Sequence, residues 1–164
     1  MPDARAGAAH RAVFLDRDGT IVEDPGFLHE SGKVRLLSGA GEAIHRLNQA
    51  GWLVITVSNQ SGIARGLYDA TAYSAVQRRL VELLATHGAR LDGAYFCPHH
   101  PEFTGPCECR KPGLLLFREA AAALGLELAR SVWVGDRVSD VHPARKLGGR
   151  ALLVETGRGA AHVG

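Results

Sequence analysis

The chain is 164 residues long, 46% apolar and 22% charged, with a formal net charge of +2. That is the size of one domain, able to bury roughly two-thirds of the surface its unfolded chain exposes. It has no long apolar run and no block of like charges. These features argue against a membrane-spanning helix and give nucleic-acid binding no support.

Residues 1–10 are rich in Ala and Gly, with one Arg at position 5. They lack the apolar core of a signal peptide and read as a flexible leader to a cytoplasmic protein. Residues 11–164 read as a single domain. Ala12–Leu15 is the first of five short apolar runs, followed by Leu53–Val57, Gly93–Phe96, Val132–Val134 and Ala151–Val154. Each is a run rather than an alternation, as expected for strands covered on both faces. Between them the spacing predicts helices over Ala40–Ala50, Thr71–His87, Gly113–Leu124 and Pro143–Leu147, each followed by Gly. Strands alternating with helices predict an α/β fold: a three-layer, doubly wound parallel sheet. Ligands in such sheets sit beyond the carboxyl ends of the strands.

The polar residues worth attention fall at those ends. Run one leads into Asp16-Arg17-Asp18-Gly19-Thr20. Side chains two apart on an extended segment point the same way, so two carboxylates share one side. Their repulsion calls for a cation, and Mg2+ favours carboxylate oxygens. Run two ends in Ser58-Asn59-Gln60-Ser61, which offers donors to phosphate oxygens. Run four ends in Gly135-Asp136, with Asp140 shortly after.

The three cysteines are Cys97, Cys107 and Cys109. An odd cluster in one short stretch argues for metal rather than a disulfide framework. Cys97-Pro98-His99 and Cys107-Glu108-Cys109 supply four tetrahedral ligands, which we assign to a structural Zn2+: Cys97, His99, Cys107 and Cys109. His100 is the rival ligand, but alternation places it on the other side from Cys97 and His99. Zinc would stiffen a loop with little apolar content and aim Arg110 and Lys111 at a pocket.

Asp16-x-Asp18-Gly19-Thr20, Ser58, Lys111 before a helix, and Gly135-Asp136 with Asp140 follow one another in the order of the four motifs of the haloacid dehalogenase-like superfamily. The chain resembles that superfamily. The resemblance implies that Asp16 is the nucleophile and Asp18 the general acid and base. It implies that Ser58 and Lys111 hold phosphate, and that Mg2+ is bound by Asp16, Asp136 and the backbone carbonyl of Asp18. Asp140 has two readings: it orients Lys111 or a bound water, or it caps a helix N-terminus.

Cys-Pro-His-His-Pro from Cys97, Cys-x-Cys-Arg-Lys-Pro from Cys107, and the segment Ser58–Gly66 narrow the resemblance. They are similar to the D-glycero-D-manno-heptose 1,7-bisphosphate 7-phosphatases and the related histidinol-phosphate phosphatases, from about Val13 to Gly157. Family substrate contacts then fall on Arg17, Asp24, Pro25, Gly26, Phe27, Ser58, Asn59, Gln60, Ser61, Arg110 and Lys111. Arg137 stands where Lys is usual, and the zinc loop is shorter than in many relatives. Room for a cap domain is lacking, so loops alone would close the site. The implied reaction removes the C7 phosphate of the heptose bisphosphate; the alternative is hydrolysis of histidinol phosphate. A phosphoacceptor signalling domain would lack an acid at Asp18, and a zinc module with a dead site would not keep the whole set. The expected partner is a small phosphate ester, without nucleic acid or membrane, and the expected state is a monomer.

Overall fold

The structure is a computed structural model and describes residues 9–162. Five parallel strands form one sheet: β1 (Ala12–Leu15), β2 (Leu53–Asn59), β3 (Gly93–Cys97), β4 (Val132–Gly135) and β5 (Arg150–Leu153). Their order in the sheet is β3-β2-β1-β4-β5. The helices are α1 (Ala40–Gln49), α2 (Ala70–Ala85), α3 (Pro101–Thr104), α4 (Leu115–Leu124) and α5 (Val138–Leu147). The expected α/β architecture is therefore present. No second domain is inserted between strands among the described residues. No helix among them is long and apolar enough to cross a membrane.

Alternation along β1 divides the core. Val13 and Leu15 face one side with Ile44 of α1 and Val76, Leu80 and Leu84 of α2. Ala12 and Phe14 face the other with Leu116, Phe117 and Ala120 of α4, Ala144 of α5, and Trp133. Burial on both faces is why β1 and β2 read as continuous apolar runs. Phe14, Phe117 and Trp133 pack edge-on and tilted, with centroids 4.8 to 5.6 Å apart.

Three expectations are corrected. β5 was expected to be buried, yet Leu152 is 57% exposed. β5 is an edge strand, and no described element covers its outer face; an apolar groove lies there, lined by Ile44, Trp52, Val134 and Leu152 among others. Pro143 was expected in a first helical turn. Helix α5 instead starts at Val138, and Pro143 lies inside it. The earlier start is supported by Asp140, whose Oδ2 accepts from the Arg137 amide at 3.0 Å. Finally, the cysteine-rich loop contains α3, N-capped by the His100 side chain accepting from Glu102 N. The expected leader spans residues 1–10. Residues 1–8 lie outside the described residues, while His10 pairs with the chain at Leu126.

The topology creates the site. From β1 the chain winds outward through β2 and β3, then returns to β4 beside β1. The loops leaving β1 and β4 diverge to opposite faces, and a crevice opens between them. Asp16 follows β1 and Asp136 follows β4. The Asp16 amide donates to Val134 O at 3.0 Å, which locks the two strand ends side by side.

Candidate active site

Asp16, Asp136 and Asp140 bring one carboxylate oxygen each within 4.8 Å of one another. The Lys111 ammonium sits against two of them, 3.0 Å from Asp16 Oδ1 and 2.6 Å from Asp140 Oδ1. It also donates to Val57 O. Lys111 is 3% exposed. Burial works against its charge, but Asp16 and Asp140 outweigh that and hold its pKa above the usual lysine range. Asp140 thus contacts the Lys111 ammonium and, from the third position of α5, accepts from the Arg137 amide at the helix start.

Asp16 has its pKa raised well above the usual carboxylate range. Burial is the first cause; Lys111 opposes it, and Asp140 and Asp18 add to it. Three carboxylates face one ammonium, so the cluster carries surplus negative charge. Asp136 is fully buried, and its Oδ1 has no partner. Its Oδ2 accepts from the Arg158 amide at 2.8 Å. A Cβ on Gly19 or Gly157 would collide with this carboxylate, and both glycines hold positive φ. Only glycine meets both demands. Buried hard oxygens, one of them orphaned, with excess negative charge make a donor set that fits a divalent cation such as Mg2+.

Asp18 stands outside this triad. Its carboxylate receives Arg17 Nε at 2.7 Å and Nη2 at 3.2 Å. The expectation that Asp18 serves a cation through its backbone carbonyl leaves the side chain free for this pairing. Arg17 departs from its expected place. It is 0% exposed, lies with its guanidinium 5.4 Å from the Tyr73 ring, and does not line the cleft.

The cleft above the carboxylates has a volume of about 280 Å3. Of the expected substrate contacts, Asp24, Gly26, Phe27, Asn59, Gln60, Ser61, Arg110 and Arg137 line it. Pro25 borders a neighbouring hollow instead. Ser58 and Lys111 are buried and lie outside the cleft lining. The Asn59 amide is committed to Lys111: Nδ2 donates to Lys111 O, and Oδ1 accepts from Lys111 N at 2.8 Å. It fixes the lysine as well as facing the cleft. Asp24 Oδ1 accepts from Gly26 N and shapes the turn that presents Phe27 with φ 50.

Sequence reasoning missed Arg65, Tyr68, Ser139 and Arg158, which also line the cleft. Arg65 lay within the Ser58–Gly66 segment and could have been marked there. Its guanidinium lies 5.7 Å from the Phe27 ring centroid and 5.1 Å from that of Phe103. Arg65, Arg110, Arg137 and Arg158 surround an acidic floor with cations. Arg110 Nη1 is buried without a partner.

The second cluster is sulfur. Cys97, Cys107 and Cys109 bring their sulfurs within 4.8 Å of one another, with Cys97 and Cys107 at 3.7 Å. Two thiolates on one tetrahedral zinc, at about 2.3 Å each, would stand roughly 3.8 Å apart. Burial pushes the Cys97 thiol well up. Burial also acts on Cys107, but the Arg110 amide and the neighbouring thiols bring it down. His99 was expected as the fourth ligand, and its ring nitrogens are not in this set. His100 is engaged elsewhere: Nδ1 accepts from Glu102 N, and Nε2 lies 3.3 Å from Arg65 Nη2. Three thiols at this spacing fit a soft or borderline cation and leave one position open.

Residues 108–163 match the family model Hydrolase_like, described as HAD-hyrolase-like. The chain is 41% identical over 155 residues to the D-glycero-beta-D-manno-heptose-1,7-bisphosphate 7-phosphatase of Yersinia pestis, covering 90% of this chain and 81% of that one. It is 43% identical over 157 residues to the D-glycero-D-manno-heptose-1,7-bisphosphate 7-phosphatase of Thermosynechococcus vestitus, covering 90% and 80%. The fold matches the crystal structure of D,D-heptose 1,7-bisphosphate phosphatase from B. bronchiseptica complexed with magnesium and phosphate. That match has a TM-score of 0.85 and 36% identity, covering 92% of this chain and 84% of that one.

Proposed function

Because the chain belongs to the heptose 1,7-bisphosphate 7-phosphatase family of haloacid dehalogenase-like hydrolases, we propose that its acidic floor and arginine rim hydrolyse the C7 phosphate of D-glycero-D-manno-heptose 1,7-bisphosphate. It is a phosphoric monoester hydrolase. The observation that carries the substrate reading is the split charge of the cleft. One phosphate fits against Asp16 and Lys111 with a cation, and a second negative group fits among the arginines.

The chemistry runs on two carboxylates. Asp16 attacks phosphorus, and the ester bond to the sugar C7 oxygen breaks. Asp18 gives that oxygen its proton. Asp18 then takes a proton from water, which attacks the aspartyl phosphate and releases inorganic phosphate with Asp16 regenerated. Splitting the reaction this way replaces one hard step with two easier ones. Lys111 holds Asp16 in line and offsets charge on the phosphoryl oxygens. Mg2+, held by Asp16, Asp136 and the Asp18 carbonyl, would supply the remaining charge compensation. The small cleft without an inserted cap suits a small phosphorylated sugar, in a cytoplasmic monomer with reduced thiols.

Arg110 and Arg137 recognise the distal phosphate in this reading. An Arg110→Ala, Arg137→Ala double variant should raise KM for the bisphosphate by about a hundredfold or more, since each of the two charge-assisted hydrogen bonds contributes roughly 1.5–3 kcal/mol. Its hydrolysis of p-nitrophenyl phosphate, which has no second phosphate, should change little. Steady-state kinetics on both substrates test this, and unchanged KM for the bisphosphate would count against the assignment.

Zn2+ is the proposed occupant of the sulfur cluster, held by Cys97, Cys107 and Cys109 with His99 closing the shell. Its place is structural: it ties β3 to the loop that carries Arg110 and Lys111. Cys107→Ser should lower zinc content and Tm together. Metal analysis beside a melting curve tests this; an unchanged Tm with no bound zinc would show that the cluster does not hold the loop.

A further inference from the structure

Resting on the phosphatase reading above, we propose that Tyr68 is a positioning residue of the phosphate pocket, setting the direction of the Ser58 hydroxyl through Gln60. Tyr68 lies in the loop between β2 and α2 and lines the cleft. Its phenol donates to Gln60 Oε1. With that end of the amide accepting, the other end must donate, and Gln60 Nε2 gives a hydrogen bond to Ser58 Oγ at 3.2 Å. Ser58 and Gln60 are each 2% exposed. The Ser58 oxygen thus accepts from Gln60 on one side, which turns its own proton away from the amide and leaves it to be given. A phosphoryl oxygen seated beside Asp16 is the acceptor that needs it.

The far end of this relay is fixed. The Tyr68 ring stacks on His29 with centroids 5.5 Å apart and planes within 5°. On another side it packs against Gly62, where any Cβ would strike the ring. Burial raises the Tyr68 pKa to about 12, so the phenol keeps its proton at neutral pH. A phenol packed between His29 and Gly62 that keeps its proton at neutral pH passes one direction along two hydrogen bonds. The phenol acts through Gln60 and Ser58 rather than by touching the substrate.

The test is a double-mutant cycle on binding of inorganic phosphate with Mg2+, measured by calorimetry on the full chain. Tyr68→Phe should weaken phosphate binding about five- to tenfold, the scale of one net hydrogen bond. Ser58→Ala should weaken it at least as much. Adding Tyr68→Phe to Ser58→Ala should then change nothing further. An equal loss in both backgrounds would mean that Tyr68 acts on phosphate independently, and no loss from Tyr68→Phe alone in the otherwise wild-type protein would mean that it does not act; either overturns the proposal. Gln60→Glu, which keeps the shape but turns the donor into an acceptor, should weaken binding more than Tyr68→Phe. Phosphate binding as tight as wild type in that variant would also overturn it. Turnover of a phosphate ester by the wild type is measured separately. Absence of turnover would strike the phosphatase reading, while the binding cycle still decides the role of Tyr68.

Discussion

Asp16→Asn should reduce turnover by at least about a thousandfold while the protein remains folded. The amide has nearly the shape of the carboxylate but little nucleophilicity. Lys111 Nζ, now 3.0 Å from Asp16 Oδ1, can still donate to the amide oxygen. The change also removes one of three crowded negative charges, so the melting temperature without metal should hold or rise. Burial already disfavours the ionised form of Asp16, which gives the same sign. Rapid-quench trapping of the phosphorylated enzyme separates this from a simple binding defect: wild type should carry acid-stable label from substrate, and the variant none. Turnover by Asp16→Asn close to wild type would remove Asp16 as the nucleophile.

Lys111→Met should have the largest combined effect on stability and rate. The ammonium is buried, contacts Asp16 and Asp140, and also donates to Val57 O. A thioether of similar length leaves both carboxylates without their cation. Breaking one partner out of a buried pair costs about 3–5 kcal/mol, and losing an electrostatic donor at a developing charge costs roughly a hundred- to a thousandfold in kcat. The stability loss should be greatest without metal and partly recovered by Mg2+, which offsets the same carboxylates. Melting curves with and without Mg2+ test this. An unchanged Tm in the absence of Mg2+ would show that the Lys111 network does not hold the two strand ends.

The residues that were legible in sequence are those whose position follows from a strand end. Asp16 and Asp136 close apolar runs that pair side by side, and the switch between β1 and β4 brings them together without further information. The starts of β1 to β4 agree with the apolar runs, while β2, β3 and β4 run one or two residues further than those runs. β5 misled because an edge strand can carry the same apolar residues with one face uncovered; Leu152 looks like Val134 in sequence and differs only in what lies above it. Arg17 is a cleft residue by family resemblance, but its burial against Tyr73 depends on where α2 packs. Tyr68 carried no signal at all, since its relay needs the β2–α2 loop to fold back over Gln60. Asn59 was expected to face substrate. Its hold on Lys111 across 52 residues of chain is a tertiary pairing that spacing does not encode. The start of α5 was missed because Pro143 looked like an N-terminal residue, whereas Asp140 supplies the cap earlier.

The most direct test of the central claim is initial-rate phosphate release with Mg2+ from D-glycero-D-manno-heptose 1,7-bisphosphate and from histidinol phosphate, side by side, with 31P NMR to identify the ester lost. The account predicts that kcat/KM for the bisphosphate exceeds that for histidinol phosphate by about a hundredfold or more, the scale of a second phosphate engaged by two arginines. It also predicts that the C7 signal disappears while the C1 signal persists. A preference for histidinol phosphate, or loss of the C1 phosphate first, would contradict it.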